Sequence, residues 1–521
     1  MRVPVLIVGG GYAGLSAATM LAWRGVDVML VERHASTSIQ PKAYGLNPRA
    51  VELLRPVPGL EAELGAIRQG VGEDMRIAIA ASLTDPNPEI LLDTNTSPLP
   101  AHLSPAPYLG APQAEIERVL RRRAEELGAD LRFSTELVSM EQDDDGVTAL
   151  IRADSAETTV RADYVIAADG YHSPIRTALR IPTSGKGVLN HMHAIMFDAD
   201  LGGLVNDGEV TLWYLRNDTF TGVFITGTGV GAHVLGLNAE SKVADFDAVE
   251  MIRLGVGVPD LDVALLDTTT FTIAHVLADT YRAGRVFLAG DAAHTMPPTG
   301  GQGGSTALQD GCDLAWRLWL VVSGQADPAF LDSYDAERRP VGELTADAQL
   351  ANLGFRMPAA QRVDYPEPIE DPFAVILGYR YRSAAILSEP DDDGLPMEDP
   401  RVPTGRPGSR APHVVLDWDG RPISALDLFG SGFVLLAGPY GQQWVDAGRA
   451  VRDRLGVRLA PHRIGGELLD VEGVWQERYG VGGSGAVLVR PDGYIAWRSH
   501  GADLDPVGTL ESALGRILSL F

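Results

Sequence analysis

Val3-Pro4-Val5-Leu6-Ile7-Val8-Gly9-Gly10-Gly11-Tyr12-Ala13-Gly14-Leu15-Ser16-Ala17-Ala18 decides the fold. An apolar run ends in three glycines, and apolar residues then recur at helical spacing through Leu15, Ala18, Leu21 and Ala22. A second apolar run, Val26–Val31, follows, so the chain opens as a strand, a helix and a strand. Gly9, Gly11 and Gly14 occupy the strand-to-helix turn, with Tyr12 and Ala13 between them. Glycine there permits the tight turn and lets backbone N–H groups at a helix start approach a pyrophosphate. Glu32 closes the second strand, 18 residues past Gly14, where a carboxylate can accept ribose hydroxyls. Such an acid repels a phosphate at that position, so the fingerprint reads as FAD or NAD binding in preference to NADP.

Two further strand ends separate those cofactors. Asp169-Gly170-x-x-Ser173-x-x-Arg176 and Gly284-Arg285-Val286-Phe287-Leu288-Ala289-Gly290-Asp291 each place an aspartate just past an apolar strand, where α/β sheets bind ligands. After the second comes Pro297-Pro298-Thr299-Gly300-Gly301-Gln302-Gly303-Gly304, a glycine-rich loop ahead of a helix predicted from about Thr306 to Val322. Its backbone amides can meet an anionic flavin ring and phosphates.

Working outward, Gln113–Leu127 has helical periodicity, and residues 180–280 hold alternating segments such as Thr211–Leu215 and Gly222–Thr226, the pattern of an antiparallel sheet. A Gly/Pro/Asp-rich stretch from Asp391 to Gly408 reads as a linker. Beyond it, a strand at Phe433–Leu436, a helix at Val445–Leu455 and a hairpin at Ala486–Trp497 suggest a small thioredoxin-like domain without Cys-x-x-Cys, structural or oligomerising in role. The expected fold is therefore α/β. A Rossmann-like FAD-binding domain (1–180 and 280–395) carries an inserted antiparallel-sheet substrate domain (181–279). A C-terminal thioredoxin-like domain lacking the redox cysteines (396–521) follows.

Composition narrows the function classes. The 521 residues carry 43 Lys+Arg against 69 Asp+Glu, a net charge of −26, which opposes binding to nucleic acid or an anionic membrane. No apolar run approaches the roughly 20 residues of a membrane span, and no signal-peptide pattern is present, so a cytoplasmic protein is expected. The one cysteine, Cys312, reads as a small buried hydrophobe. Asp143–Asp145 and Asp391–Asp393 lack ligand spacing and read as solvated loops, so no metal is expected.

The three fingerprints in this order, with Gln113 opening a helix and Tyr334-x-x-Glu337-Arg338-Arg339-Pro340 downstream, resemble the single-component flavin monooxygenases of the p-hydroxybenzoate hydroxylase fold. Gly378-Tyr379-Arg380-Tyr381-Arg382-Ser383, Arg406-Pro407-Gly408-Ser409-Arg410-Ala411-Pro412-His413 and Arg490-Pro491-Asp492-Gly493 look most like the aklavinone-type hydroxylases of aromatic polyketides. The resemblance implies that Glu32 holds the adenosine ribose, that Gln113 and Lys42 approach the ribityl-phosphate region, and that Asp291 binds a ribityl hydroxyl. Asp169 would serve the flavin side, the Pro298–Gly304 loop with Gly301 and Gly303 would line the ring, and Arg33 and Leu137 join the cofactor-contacting set. Lys42 and Gly304-Ser305-Thr306-Ala307 depart from much of the family, which has arginine and Met-Asn-Thr-Gly there.

The implied activity is hydroxylation of a polycyclic phenol with O2, through a flavin hydroperoxide on FAD reduced by NADPH or NADH. Baeyer–Villiger or antibiotic-modifying oxygenation, and a non-catalytic flavin protein, are the alternatives. Arg380 and Arg382 alternate with tyrosines, so an inward arginine would stabilise a phenolate, with a surface ion pair as the competing reading. Trp213 and Tyr214 are candidates to stack on the guest, and the resemblance favours Tyr214. His294 reads as a hydrogen-bonded scaffold residue more than as a general base. A homo-oligomer is left open.

Overall fold

The computed structural model describes the chain except for residues 39–42, 69–74, 94–98, 206–209, 227–232, 239–246, 357–363 and 370. Its core is a sheet in the order Arg282–Ala283, Val286–Leu288, Ala156–Ala167, Arg2–Val8, Val28–Val31, Asp130–Arg132, with the hairpin Thr135–Asp143/Gly146–Ala153 added through Ala156–Ala167. From Val286–Leu288 to Asp130–Arg132 every pairing is parallel, and Val5, Leu6, Ile7 and their neighbours are buried on both faces, as continuous apolar runs in a parallel sheet require. Register matters most for function: Val8 lies opposite both Val31 and Ala167, and Ala167 opposite Leu288. Gly9, Glu32, Asp169 and Asp291 therefore leave the sheet along a single edge.

Two helices cross closely behind that edge. Tyr12–Trp23 and Gly303–Val322 meet where a Cβ on Gly311 would stand 2.2 Å from Ala13 O, so only glycine permits the approach. Ser16 Oγ fastens the crossing by donating to Leu308 O at 3.0 Å.

The second large sheet runs His294–Thr295, Ala264–Ala278, Thr183–Asp198, His233–Asn238, Thr221–Thr226, Val210–Arg216, Met75–Ala80, Glu89–Asp93. The last two strands come from sequence assigned above to the FAD-binding domain, so this sheet draws on more of the chain than 181–279. Met75–Ala80 pairs parallel to Val210–Arg216, and the remaining pairs are antiparallel. One face packs Ile195, Phe197, Leu215 and Phe224 against helix Ala248–Val256.

In the C-terminal part, Phe433–Ala437 pairs parallel to Leu459–Arg463 and antiparallel to Ala486–Val489, with helices Gln442–Leu455 and Pro506–Ile517 alongside. Cys312 is buried, and burial pushes its thiol up to about 12, which leaves it inert. No helix of the described residues is long and apolar enough to cross a membrane.

Candidate active site

The first turn is built for close contact. Gly9 has φ +113°, and a Cβ there would fall 2.1 Å from Ala168 O, so the chain passes between two strand ends with no room for a side chain. Helix Tyr12–Trp23 starts at Gly11 with no side-chain cap, and helix Gly303–Val322 starts at Gln302 likewise uncapped. Each leaves its first N–H groups to an outside acceptor, the arrangement that receives phosphate or a ring carrying negative charge.

Glu32 sits at the mouth, where Oε2 accepts from Gly10 N–H (2.7 Å) and Oε1 from His34 N–H (2.9 Å). Arg33 beside it is solvent-exposed. Gln113 opens helix Gln113–Glu126, and its Nε2 donates to Glu117 Oε1 at 2.6 Å. That bond fixes which way the amide points. Leu137 is half-buried against the main core, two residues past Thr135, whose N–H donates to Glu32 O. Lys42 lies outside the described residues.

At the opposite end of the edge, Asp169 is engaged in its own loop. Oδ1 accepts from Ser173 Oγ (2.7 Å) and Oδ2 from Ile175 N–H (3.0 Å), while burial raises its carboxyl above the ordinary value. Asp291 is exposed on the short turn Gly290–Ala292. Arg176 ties the two aspartate loops together through Nη1 to Ala292 O (2.7 Å) and Nη2 to Tyr171 O (3.0 Å). His294 is 1% exposed and bonded to Asp310 at 2.6 Å, a scaffold role as read from the sequence.

Pro298 and Gly301 are exposed on the glycine loop, and Gly303 and Gly304 begin its helix. A Cβ on Gly304 would stand 2.8 Å from the ring of Tyr12. The Tyr12 hydroxyl is buried beside this cradle with no hydrogen-bond partner among the described residues, and burial raises its pKa well above 10. Two uncapped helix starts, a glycine cradle and carboxylates at both ends of one sheet edge suit a dinucleotide that ends in a flat ring.

Two catalytic expectations need correction. Arg380 and Arg382 do not face a guest: Arg380 pairs with Asp392 and Asp393, each at 2.5 Å, and Arg382 with Asp392 at 2.7 Å. Tyr379, Arg380 and Tyr381 are all buried, and Arg380 meets its aspartates from within the fold, whereas Arg382 is half-buried. The physical reason is local charge, because an acidic run ten residues downstream captures both guanidinium groups. Arg380→Met is expected to lower the Tm and leave turnover unchanged. Burial raises Asp392, but bonds from Arg382 and the Gly394 N–H more than offset it. The Leu395 N–H, then Arg380, lowers Asp393. Folded-state values below ordinary mean that the pairing stabilises above the usual carboxylate pKa of about 3.9 and fades as pH falls through and below it. Melts of both proteins from pH 7 to 3 should therefore converge at the acid end.

An arginine does reach the second sheet, and it is Arg356. Leu212, Tyr214, Val223 and Gly236 share the face opposite the helix-packed one, since Tyr214 is paired with Val223 and Val223 with Gly236. Arg356, the first residue past the long helix Asp332–Phe355, donates from Nη1 to Tyr214 Oη and lies over its ring at 4.7 Å. Thr299 Oγ1 of the glycine loop donates to Gln349 O on the same helix (2.6 Å), so roughly 10 Å of helix separates loop and arginine. Trp213 turns the other way, its Nε1 bonded to Thr226 Oγ1 at 3.1 Å. No local signal could have found Arg356, because its contact with Tyr214 spans 142 residues.

Residues 2–349 match the FAD binding domain family, and 404–519 match the aromatic-ring hydroxylase C-terminal family. The chain belongs to the FAD-dependent aromatic-ring hydroxylases. It is a flavin-dependent monooxygenase, and FAD is its cofactor. It is 40% identical to the aklavinone 12-hydroxylase of Streptomyces purpurascens, over 99% of both chains. It is 41% identical to a 4-methyl-5-nitrocatechol 5-monooxygenase of a Burkholderia species, over 99% of this chain and 98% of that one. Among solved structures, an aklavinone-11 hydroxylase in ternary complex with FAD and aklavinone superposes with a TM-score of 0.93, at 40% identity and 99% coverage of both chains.

Proposed function

We propose that this monooxygenase hydroxylates an electron-rich phenolic ring of a flat polycycle, with NADPH, or else NADH, as reductant and O2 as oxygen source. The observation that carries it is the unpacked apolar face of the second sheet, with the Tyr214–Arg356 pair at its rim and the long helix joining that rim to the glycine loop. Ile225 on this face remains 36% exposed and Phe271 42%. A broad apolar surface left open on a folded sheet is one made to be covered by a guest.

When bound, FAD supplies the redox and oxygen-transfer chemistry. The chain's residues do the rest. Gly9, Gly11, Tyr12, Ala13 and Gly14 offer backbone contact to the pyrophosphate, Glu32 accepts from the adenosine ribose, and Asp291 accepts from the ribityl chain. Amides at Gly303 and Gly304 stabilise negative charge on the ring. The apolar face excludes water from the guest. Arg356 donates to Tyr214 Oη, leaving the tyrosine's own proton to be donated to a substrate oxygen, so the pair favours the phenolate, the more electron-rich form.

A one-ring phenol is the second reading, favoured by the name of the Burkholderia relative. The test is a panel of polycyclic phenols and catechols scored for NAD(P)H consumption, with heavy oxygen traced into the product. Label on a new ring hydroxyl of a polycycle is expected. Label within an enlarged ring would replace hydroxylation by Baeyer–Villiger insertion, and turnover of catechols alone would overturn the polycycle reading. Gly236→Val adds a sharper arm. A Cβ there would stand 2.8 Å from Val223 Cγ2 and 3.3 Å from Met192 Cε, so a side chain lifts the floor beneath the guest. The ratio of polycycle to one-ring kcat/KM is expected to fall roughly tenfold.

A further inference from the structure

Two paths of contacts, mostly buried hydrogen bonds, run from the C-terminal domain to the two turns that face the cofactor. The first starts at Arg490, fully buried just past strand Ala486–Val489. Its Nη1 and Nη2 donate to the two oxygens of Glu337, each at 2.7 Å, while Asp492 braces Nε at 3.1 Å. Burial pushes Glu337 up, but Arg317 and Arg490 together outweigh it and hold the carboxyl at about 2, so it stays charged. Arg338, next on the long helix, donates from Nε to Asp310 at 2.9 Å. Asp310 in turn accepts from Gly290 N–H at 3.0 Å, immediately before Asp291.

The second chain starts at Tyr494, which stacks on Tyr379 with ring centres 5.7 Å apart. Tyr379 Oη donates to Gln309 Oε1 (3.0 Å), and Gln309 Nε2 to Asn47 Oδ1 (3.5 Å). Asn47 then donates from Nδ2 to Gln302 Oε1 (2.7 Å) and from its backbone N–H to Ser305 Oγ (3.0 Å). Gln302 and Ser305 flank Gly303 and Gly304.

We propose that the C-terminal domain is a clamp that positions both flavin-facing turns, with its Arg490, and Tyr379 of the FAD-binding domain held under its Tyr494, as positioning residues. Neither needs to touch the cofactor. Glu337 also accepts from Arg317 on Oε2 and Ser383 on Oε1, so losing one arm of Arg490 makes the carboxylate re-pair among these fixed donors and shifts the long helix that also carries Arg338. The displacement therefore arrives at Gly290. Tyr379 acts on the other turn through bonds between neutral groups, so its removal gives a smaller effect of the same kind.

The test titrates FAD into apo-protein and follows flavin fluorescence, the visible circular dichroism of the bound ring, and the thermal melt. Arg490→Lys keeps the charge and loses the fork. It is expected to raise the Kd for FAD roughly tenfold, the scale on which orienting partners act at other bound-group sites, and to alter the visible dichroism. Tyr379→Phe is expected to raise the Kd by a smaller factor. Arg498→Met is the control: Arg498 also grips a carboxylate with two bonds of 2.7 Å, to Glu389, but that pair leads to neither turn. It should lower the melting temperature and leave Kd and dichroism unchanged. Wild-type FAD affinity and dichroism in both Arg490→Lys and Tyr379→Phe would overturn the clamp, and so would an equal loss of affinity in Arg498→Met. If Arg490→Lys does not fold, Tyr379→Phe decides: unchanged affinity and dichroism there overturn it.

Discussion

Arg356→Met is expected to lower turnover of a phenolic substrate at neutral pH by roughly 10²-fold, the lower end of the loss seen when a donor placed at a developing charge is disabled. Tyr214 is that donor, and Arg356 sets its strength. FAD retention should be unchanged, because Arg356 stands at the second sheet, away from the strand ends. Burial raises the Tyr214 phenol above its usual value of 10, and the Arg356 charge and hydrogen bond draw it only part of the way back. Tyr214 thus keeps its proton across the neutral range, and an alkaline rise in rate belongs to the substrate's own phenol. Removing Arg356 makes Tyr214 a weaker donor, so the substrate ionises at higher pH and the rise moves to the alkaline side. Tyr214→Phe should move it in the same direction. A pH–rate profile of Arg356→Met that overlays the unaltered enzyme would remove the pair from the mechanism.

Asp291→Ala is expected to give protein that loses its yellow colour on desalting, with FAD affinity reduced by roughly 10- to 100-fold, as when a buried partner is left unsatisfied. The turn it occupies is tightly held: Asp310 accepts from Gly290 N–H, Ala292 O accepts from Arg176, and His294 locks Asp310. The substitution therefore deletes an acceptor from a backbone that these other groups continue to hold. Fluorescence titration of the apo-protein measures the change. Full flavin occupancy after desalting would take Asp291 out of the cofactor site.

The strand ends that gather along one edge were legible in the sequence because each is local. Strands run into Gly9, Asp169-Gly170 and Gly290-Asp291, Glu32 closes the second strand of the chain, and a parallel sheet with level strand ends brings them together without further information. The Tyr214–Arg356 pair was half legible: the tyrosine stood in a recognisable strand, whereas its partner sits at the end of a helix 142 residues on. Arg380 and Arg382 were misread although the corrective signal lay nearby, in three consecutive aspartates able to neutralise them. Met75–Ala80 went unread as part of this sheet because the strand that joins it there, Val210–Arg216, lies more than a hundred residues on. The Arg490–Glu337 pair spans 153 residues and exists only once the fold has closed.

The parallel pairing of Met75–Ala80 with Val210–Arg216 also bears on attempts to graft guest preference from one hydroxylase to another. Transplanting residues 183–278 alone would set a foreign strand against a resident edge, with Ile77 and Ile79 meeting side chains they were not matched to. A working chimera must carry the distant 75–93 segment as a second cassette, so recombination libraries cut at one contiguous block will be enriched in misfolded hybrids.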